Sequence, residues 1–158
     1  MERLTDLKKS QPSLRVNIAI GGWTFNNPGP TASVFSDLVR SEANQKKFFR
    51  SLVSFMSTYG FDGVDIDWEY PVADDRNGRP EDFDNFPKFM ANLKNVLMST
   101  GGRDELSLTL PKSYQYLQHF DIKALAKNVD YFNYLSYDVH GKWDRGKRKL
   151  QQWRKLAN

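Results

Sequence analysis

Cysteine is absent from the 158 residues, which excludes a disulfide scaffold and thiolate chemistry without fixing the compartment. Histidine occurs only twice, and His119 has no partner at metal-ligand spacing, so it reads as a surface or capping residue and no metal site is expected. No stretch is apolar for long enough to cross a bilayer. The opening residues, Met1 to Ser10, are charged and lack the apolar segment of a secretory signal; their Leu4 and Leu7, at helical spacing, look like the end of a helix. The formal charge of +4 is unevenly held. Residues 142–158 carry seven Lys or Arg against one Asp, a net of +6, which leaves −2 for residues 1–141. Any nucleic-acid or membrane reading is therefore confined to that tail, and neither partner is expected for the rest.

What is present centres on eleven residues, Phe61-Asp-Gly-Val-Asp-Ile-Asp-Trp-Glu-Tyr-Pro71. From Val64 to Tyr70 the pattern has period two, with Asp65, Asp67 and Glu69 on one side and Val64, Ile66, Trp68 and Tyr70 on the other. Successive side chains of a β-strand leave opposite faces, so three carboxyl groups share one face about 6.5–7 Å apart at Cα. Crowded carboxylates resist ionising together, and at least one should hold its proton to a higher pH. Glu69, nearest the carboxyl end of the strand, is the candidate proton donor.

Three further alternating segments flank this one: Leu14 to Ile20, Leu106 to Leu110 and Tyr131 to Asp138. Amphipathic helices are expected over Ser41 to Tyr59, ended by Gly60, and over Glu81 to about Met98, with Phe83, Phe86, Phe89, Met90, Leu93 and Leu97 as its buried stripe; a short one spans Asp121 to Lys127. Thr31 or Ser33 is a candidate cap for a short helix after the loop Asn26 to Pro30. Strand and helix alternate, which implies parallel strands with right-handed crossovers. The expected class is α/β, a partial (β/α)8 barrel of four parallel strands with covering helices, because a full barrel typically needs about 250 residues. Within the loop after the acidic strand, Asp74, Asp75 and Arg76 read as a solvated run. Tyr114 and Tyr116 follow the third strand, where loop packing and a sugar groove are both open readings.

Asp62-Gly-x-Asp65-x-Asp67-x-Glu69 followed by Tyr70-Pro71 resembles the signature of the family 18 glycoside hydrolases, chiefly chitinases, and its neighbours resemble fungal members. Gly21-Gly22 resembles the end of the family's Ser-x-Gly-Gly signature, with Ala19 where serine is usual. Tyr137 and Asp138 match the end of its Met-x-Tyr-Asp strand, with Leu135 replacing methionine. The resemblance covers Leu14 to Gly141 and implies barrel strands three to six, so residues 1–141 form a partial catalytic domain and the basic tail, 142–158, does not match. Strands one, two, seven and eight are not expected in this chain, and the two open sheet edges they leave suggest self-association.

The resemblance also implies a chemistry: retaining cleavage of β-1,4 bonds between N-acetylglucosamine units of chitin or chito-oligosaccharides, assisted by the substrate's own acetamido group. Glu69 would serve as acid and base, Asp67 would hold the acetamido N–H, and Asp65 beneath it would share a proton. Tyr137, Asp138, Trp23 and Tyr70 would bind substrate, although Trp23 reads equally well as packed on its neighbours. Asp62, Gly21 and Gly22 are expected to be structural. No cofactor or metal is implied, and the location implied is extracellular. An inactive fragment and a lectin-like chitin-binding protein are the alternative readings.

Overall fold

The computed structural model describes residues 2–137; Asp138, the boundary at residue 141 and the basic tail 142–158 lie outside the described residues. Four strands, β1 (Asn17–Gly21), β2 (Gly63–Asp67), β3 (Glu105–Leu110) and β4 (Tyr131–Tyr134), form one parallel sheet in the order β1-β2-β3-β4. A short helix α1 (Glu2–Thr5) runs into a 3-10 turn, and α2 (Val34–Val39) and α3 (Glu42–Tyr59) connect β1 to β2. The long helix α4 (Asp82–Met98) connects β2 to β3, and α5 (Tyr114–Leu117) and α6 (Ile122–Leu125) connect β3 to β4. Among the described residues no helix is long and apolar enough to cross a membrane.

Local chemistry sets the limits of α3. The Ser41 hydroxyl accepts from the Asn44 N–H at 3.3 Å, and Gly60 adopts φ 75°, the left-handed turn that a glycine enters without steric cost. At α2 the capping expectation fails, because Ser33 Oγ donates to Asp37 Oδ2 at 3.2 Å and Thr31 Oγ1 donates to the Phe25 carbonyl at 2.6 Å. Phe83, in the first turn of α4, is exposed rather than part of the buried stripe.

Register divides the sheet into two chemically different faces. Ala19 pairs with Asp65, Asp65 with Ser107 and Ser107 with Tyr131, so Asn17, Ala19, Gly21, Asp65, Asp67, Glu105, Ser107, Thr109, Tyr131 and Asn133 share one side. The other side carries Val64, Ile66, Leu106 and Leu108, all fully buried beneath Phe49, Leu52 and Met56 of α3 and Phe86, Phe89, Met90, Leu93 and Leu97 of α4. That aliphatic and aromatic layer is the core, and each fully buried side chain in it contributes about 1.5–3 kcal/mol. The inner face takes no part in it.

Candidate active site

β2 ends at Asp67, three residues short of the alternation in the sequence. Trp68 nevertheless stays in the core, stacked on Phe35 with ring centroids 5.3 Å apart and edge-on to Phe86 at 5.1 Å. The chain therefore leaves the sheet while its large side chains keep their apolar contacts. Asp65, Asp67 and Glu69 cluster at the carboxyl end of β2, each in a different environment.

Asp65 is 7% exposed and saturated with donors: Ser107 Oγ at 2.6 Å and Asn133 Nδ2 at 2.8 Å on Oδ1, and Thr109 Oγ1 at 2.8 Å on Oδ2. All three come from β3 and β4. Ala19, across the register in β1, donates nothing, and the carboxylate is not left short by its lack of a hydroxyl. All of the polar contacts that hold this side chain are thus donors to its two oxygens.

Asp67 has the opposite surroundings. Its Oδ1 is buried without a hydrogen-bond partner among the described residues. Burial, and then the nearby Glu69 and Asp65 charges, push its carboxyl up to about 7. Its backbone carbonyl accepts from the Gly22 N–H at 2.8 Å, and a Cβ on Gly21 would lie 2.0 Å from that same oxygen. Gly21 and Gly22, at φ 118° and 95°, are thus required where the two strands meet.

Glu69, 7% exposed, is held through its backbone. Its N–H donates to Asn26 Oδ1 at 3.3 Å, and its carbonyl accepts from Arg76 Nε at 2.9 Å. The following peptide, Glu69–Tyr70, is cis. Burial and the nearby Glu69 charge raise the Tyr70 hydroxyl far above its usual range. The Tyr70 ring stacks on Tyr116 at 4.2 Å and is 6% exposed, so it is packed against protein rather than open to a ligand. Tyr116 donates to Asp75 Oδ2 at 2.6 Å, and burial followed by that bond raises its hydroxyl to about 12.

Trp23 is 52% exposed, with the Arg76 guanidinium 3.7 Å from its ring centroid. Arg76 corrects the expectation of a solvated run, because it is buried among backbone acceptors instead. Tyr137 follows the end of β4, is exposed, and has its carbonyl bonded by Lys112 Nζ at 2.8 Å. Asp62 sits at the opposite end of β2 from Glu69, accepting from the Val16 N–H at 2.8 Å and from Lys8 Nζ at 2.6 Å. Among the described residues no group of His, Cys, Asp or Glu is arranged to hold a metal ion.

Chemically, these acids form a gradient: a carboxyl held by three donors, a carboxyl that keeps its proton near neutrality, and a third acid with a fixed backbone beyond the end of the strand. Proton transfer at a bond seated over the last two is the reaction such an arrangement suits. Sequence reasoning did not find Ser107, Thr109, Asn133, Asn26 or Arg76. The period-two polar residues of β3 and β4 were the available signal for the first three.

The model for glycosyl hydrolases family 18 matches residues 1–152. The chain belongs to that family. It is 38% identical over 138 residues to the secreted chitinase LysM12 of Penicillium expansum, covering 85% of this chain and 9% of that protein. It is 34% identical over 152 residues to chitinase A1 of Niallia circulans, covering 92% of this chain and 21% of that one. The second catalytic domain of the Ostrinia furnacalis group II chitinase superposes with a TM-score of 0.78 at 31% identity, covering 90% of this chain and 36% of that structure. The chain thus spans about a tenth to a fifth of those two relatives' length and about a third of that structure. Its four parallel strands and their helices are an α/β portion of the family 18 barrel.

Proposed function

We propose that this chain carries the acid-bearing part of a chitinase site and cleaves β-1,4 bonds between N-acetylglucosamine units with retention of configuration. The observation that carries the reading is the gradient across Asp65, Asp67 and Glu69: three donors on the first, an unpartnered buried oxygen on the second, a pinned backbone on the third. Glu69 protonates the leaving oxygen while the substrate's acetamido oxygen attacks the anomeric carbon. The glycosidic bond breaks, an oxazolinium ring forms, and a water that loses its proton to Glu69 opens the ring. Asp67 holds the acetamido N–H, and the charge on Asp65 keeps its neighbour's proton in place. Trp23, Tyr137 and Asp138 contact the sugars, while the packed Tyr70, stacked on Tyr116, closes the wall beside Glu69.

Two observations from relatives support the substrate: the structure of an Ostrinia furnacalis chitinase mutant holds a chito-oligosaccharide, and similar proteins from Niallia circulans and Manduca sexta are named as a chitinase and an endochitinase. An extracellular location fits the relative named as secreted. Self-association through the outer edges of β1 and β4 belongs to the same proposal, each strand having one neighbour in the described sheet, and sedimentation of the purified chain tests it. The deciding experiment is fluorophore release from a chitobiose or chitotriose glycoside by the chain and by Glu69→Gln. Loss of general acid and base catalysis should lower the rate by about 10²- to 10⁴-fold. Equal release by both proteins refutes the proposal.

A further inference from the structure

Arg76 is the most heavily committed side chain around the site and has no carboxylate partner among the described residues. Its residue is 5% exposed, yet its guanidinium meets only neutral acceptors. Nε donates to the Glu69 carbonyl at 2.9 Å, one terminal nitrogen to Asn27 Oδ1 at 2.9 Å and the other to the Trp23 carbonyl at 2.6 Å. Its central carbon lies 3.7 Å from the Trp23 ring centroid. Burying a cation without a counter-charge is costly, and it is tolerated where each N–H finds an acceptor and the planar face finds a π system.

These contacts are selective. Trp23 and Asn27 belong to the loop after β1, Glu69 to the end of β2, and Arg76 to a 3-10 turn, Asp74–Arg76, in the loop after β2. The next residue continues the tie, Asn77 Nδ2 donating to the Asn26 carbonyl at 3.0 Å, while Asn26 Oδ1 takes the Glu69 N–H. Both polar backbone groups of Glu69 are therefore fixed, one from each loop. A strut that only joined two loops would have no reason to reach the backbone of the acid and also cover the ring of the exposed tryptophan.

We propose that Arg76 is a positioning residue that sets the Glu69 backbone and the Trp23 ring relative to one another, so that proton donor and aromatic sugar surface act as one rigid unit. The inference rests on the chitinase reading above and adds to it a second requirement. Loss of Arg76 acts on turnover through Glu69 and on affinity through Trp23, and the two effects are separable.

The test is a kinetic cycle on the full chain with Arg76→Met, Arg76→Lys, Trp23→Ala and the double variant Arg76→Met/Trp23→Ala, using a chitotriose glycoside. Because a displacement of about 1 Å can cost 10²-fold, Arg76→Met should lower kcat by about 10- to 100-fold and raise KM. In the Trp23→Ala background the KM effect should vanish and the kcat effect persist. Arg76→Lys, which keeps the charge but cannot span three acceptors in one plane, should regain the melting temperature without regaining kcat; it also serves if Arg76→Met does not fold. A lysine variant with wild-type kcat reduces Arg76 to a charged filler and overturns the proposal, as does a KM effect undiminished by Trp23→Ala.

Iodide quenching supplies an arm independent of activity. The Trp23 contribution, taken as the difference from Trp23→Phe, should be larger in an Arg76→Met or Arg76→Lys background, and an unchanged contribution overturns the coupling. Glu69→Gln separates the two levels of failure. If it and the wild-type chain are equally inactive the chitinase reading falls, while quenching still decides whether Arg76 holds Trp23.

Discussion

Replacing Asp67 by Asn should flatten the pH dependence of folding stability. In the folded chain the Asp67 carboxyl sits at about 7, against an ordinary 3.8. Between those values the native state holds a proton that the unfolded chain has released, so this group's contribution is full below about 4 and is lost as pH rises through about 7. At about 1.4 kcal/mol for each tenfold change in proton affinity, the whole displacement corresponds to about 4 kcal/mol. Asp67 is only partly buried, and solvent screening reduces this to about 2 kcal/mol. For a domain of this size that is about 4–8 °C in melting temperature.

The opposite behaviour is expected of Asp37, whose hydrogen bond from Arg79 holds its carboxyl below the usual range, but its contribution is lost only as pH falls below about 4. The two effects therefore occupy different windows. Calorimetric melting at fixed ionic strength should find that the wild-type chain loses about 4–8 °C more than Asp67→Asn between about pH 4 and 7.5. Parallel curves would mean that Asp67 is ionised at neutrality, and the gradient assigned to the three acids would be wrong.

Other substitutions probe the surroundings of the site. Gly21→Ala should cost more than about 3 kcal/mol in urea unfolding, since its Cβ would meet the Asp67 carbonyl at 2.0 Å, whereas Gly101→Ala meets nothing within 4 Å and should lose only the left-handed backbone penalty of about 1–2 kcal/mol. Asn133→Ala removes one of three donors to the buried Asp65 carboxylate and should cost about 1.5–3 kcal/mol by the same measurement, with chitotriose glycoside turnover falling alongside. Lys8→Met breaks a 2.6 Å pair with the largely buried Asp62 together with a 2.8 Å bond to the Gly60 carbonyl, and although Asp62 keeps the Val16 N–H, the loss should reach about 1–3 kcal/mol.

Legibility in the sequence followed the range over which each signal acts. Alternation in β2 and β3, and the three-and-four spacing in α3 and α4, are local, and they located the sheet, its covering layer and the face shared by Asp65 and Asp67. Alternation outlasts the strand, however. Trp68 and Tyr70 are buried because Phe35 and Tyr116 stack on them, and the pattern alone does not distinguish that from strand pairing. Ser107 and Thr109 were visible as polar residues facing one way, but that Asp65 is their target depends on the register between β2 and β3. Arg76 was opaque for a deeper reason. Two of its partners are backbone carbonyls, which every residue possesses, and one of them lies 53 positions away.

The two-faced sheet makes the chain permissive to one kind of change and intolerant of another. Side chains on the inner face contribute nothing to the aliphatic layer, so those outside the Asp65 network and the tight Gly21 contact can be rewritten one at a time, altering what the site recognises while the layer beneath the helices stays intact. A single residue inserted into or deleted from β2 does the reverse. It would turn Asp65 and Asp67 into the layer beneath α3 and α4 and expose Val64 and Ile66, losing site and scaffold in one step. Drift in this strand should therefore proceed through substitution, with its length held fixed.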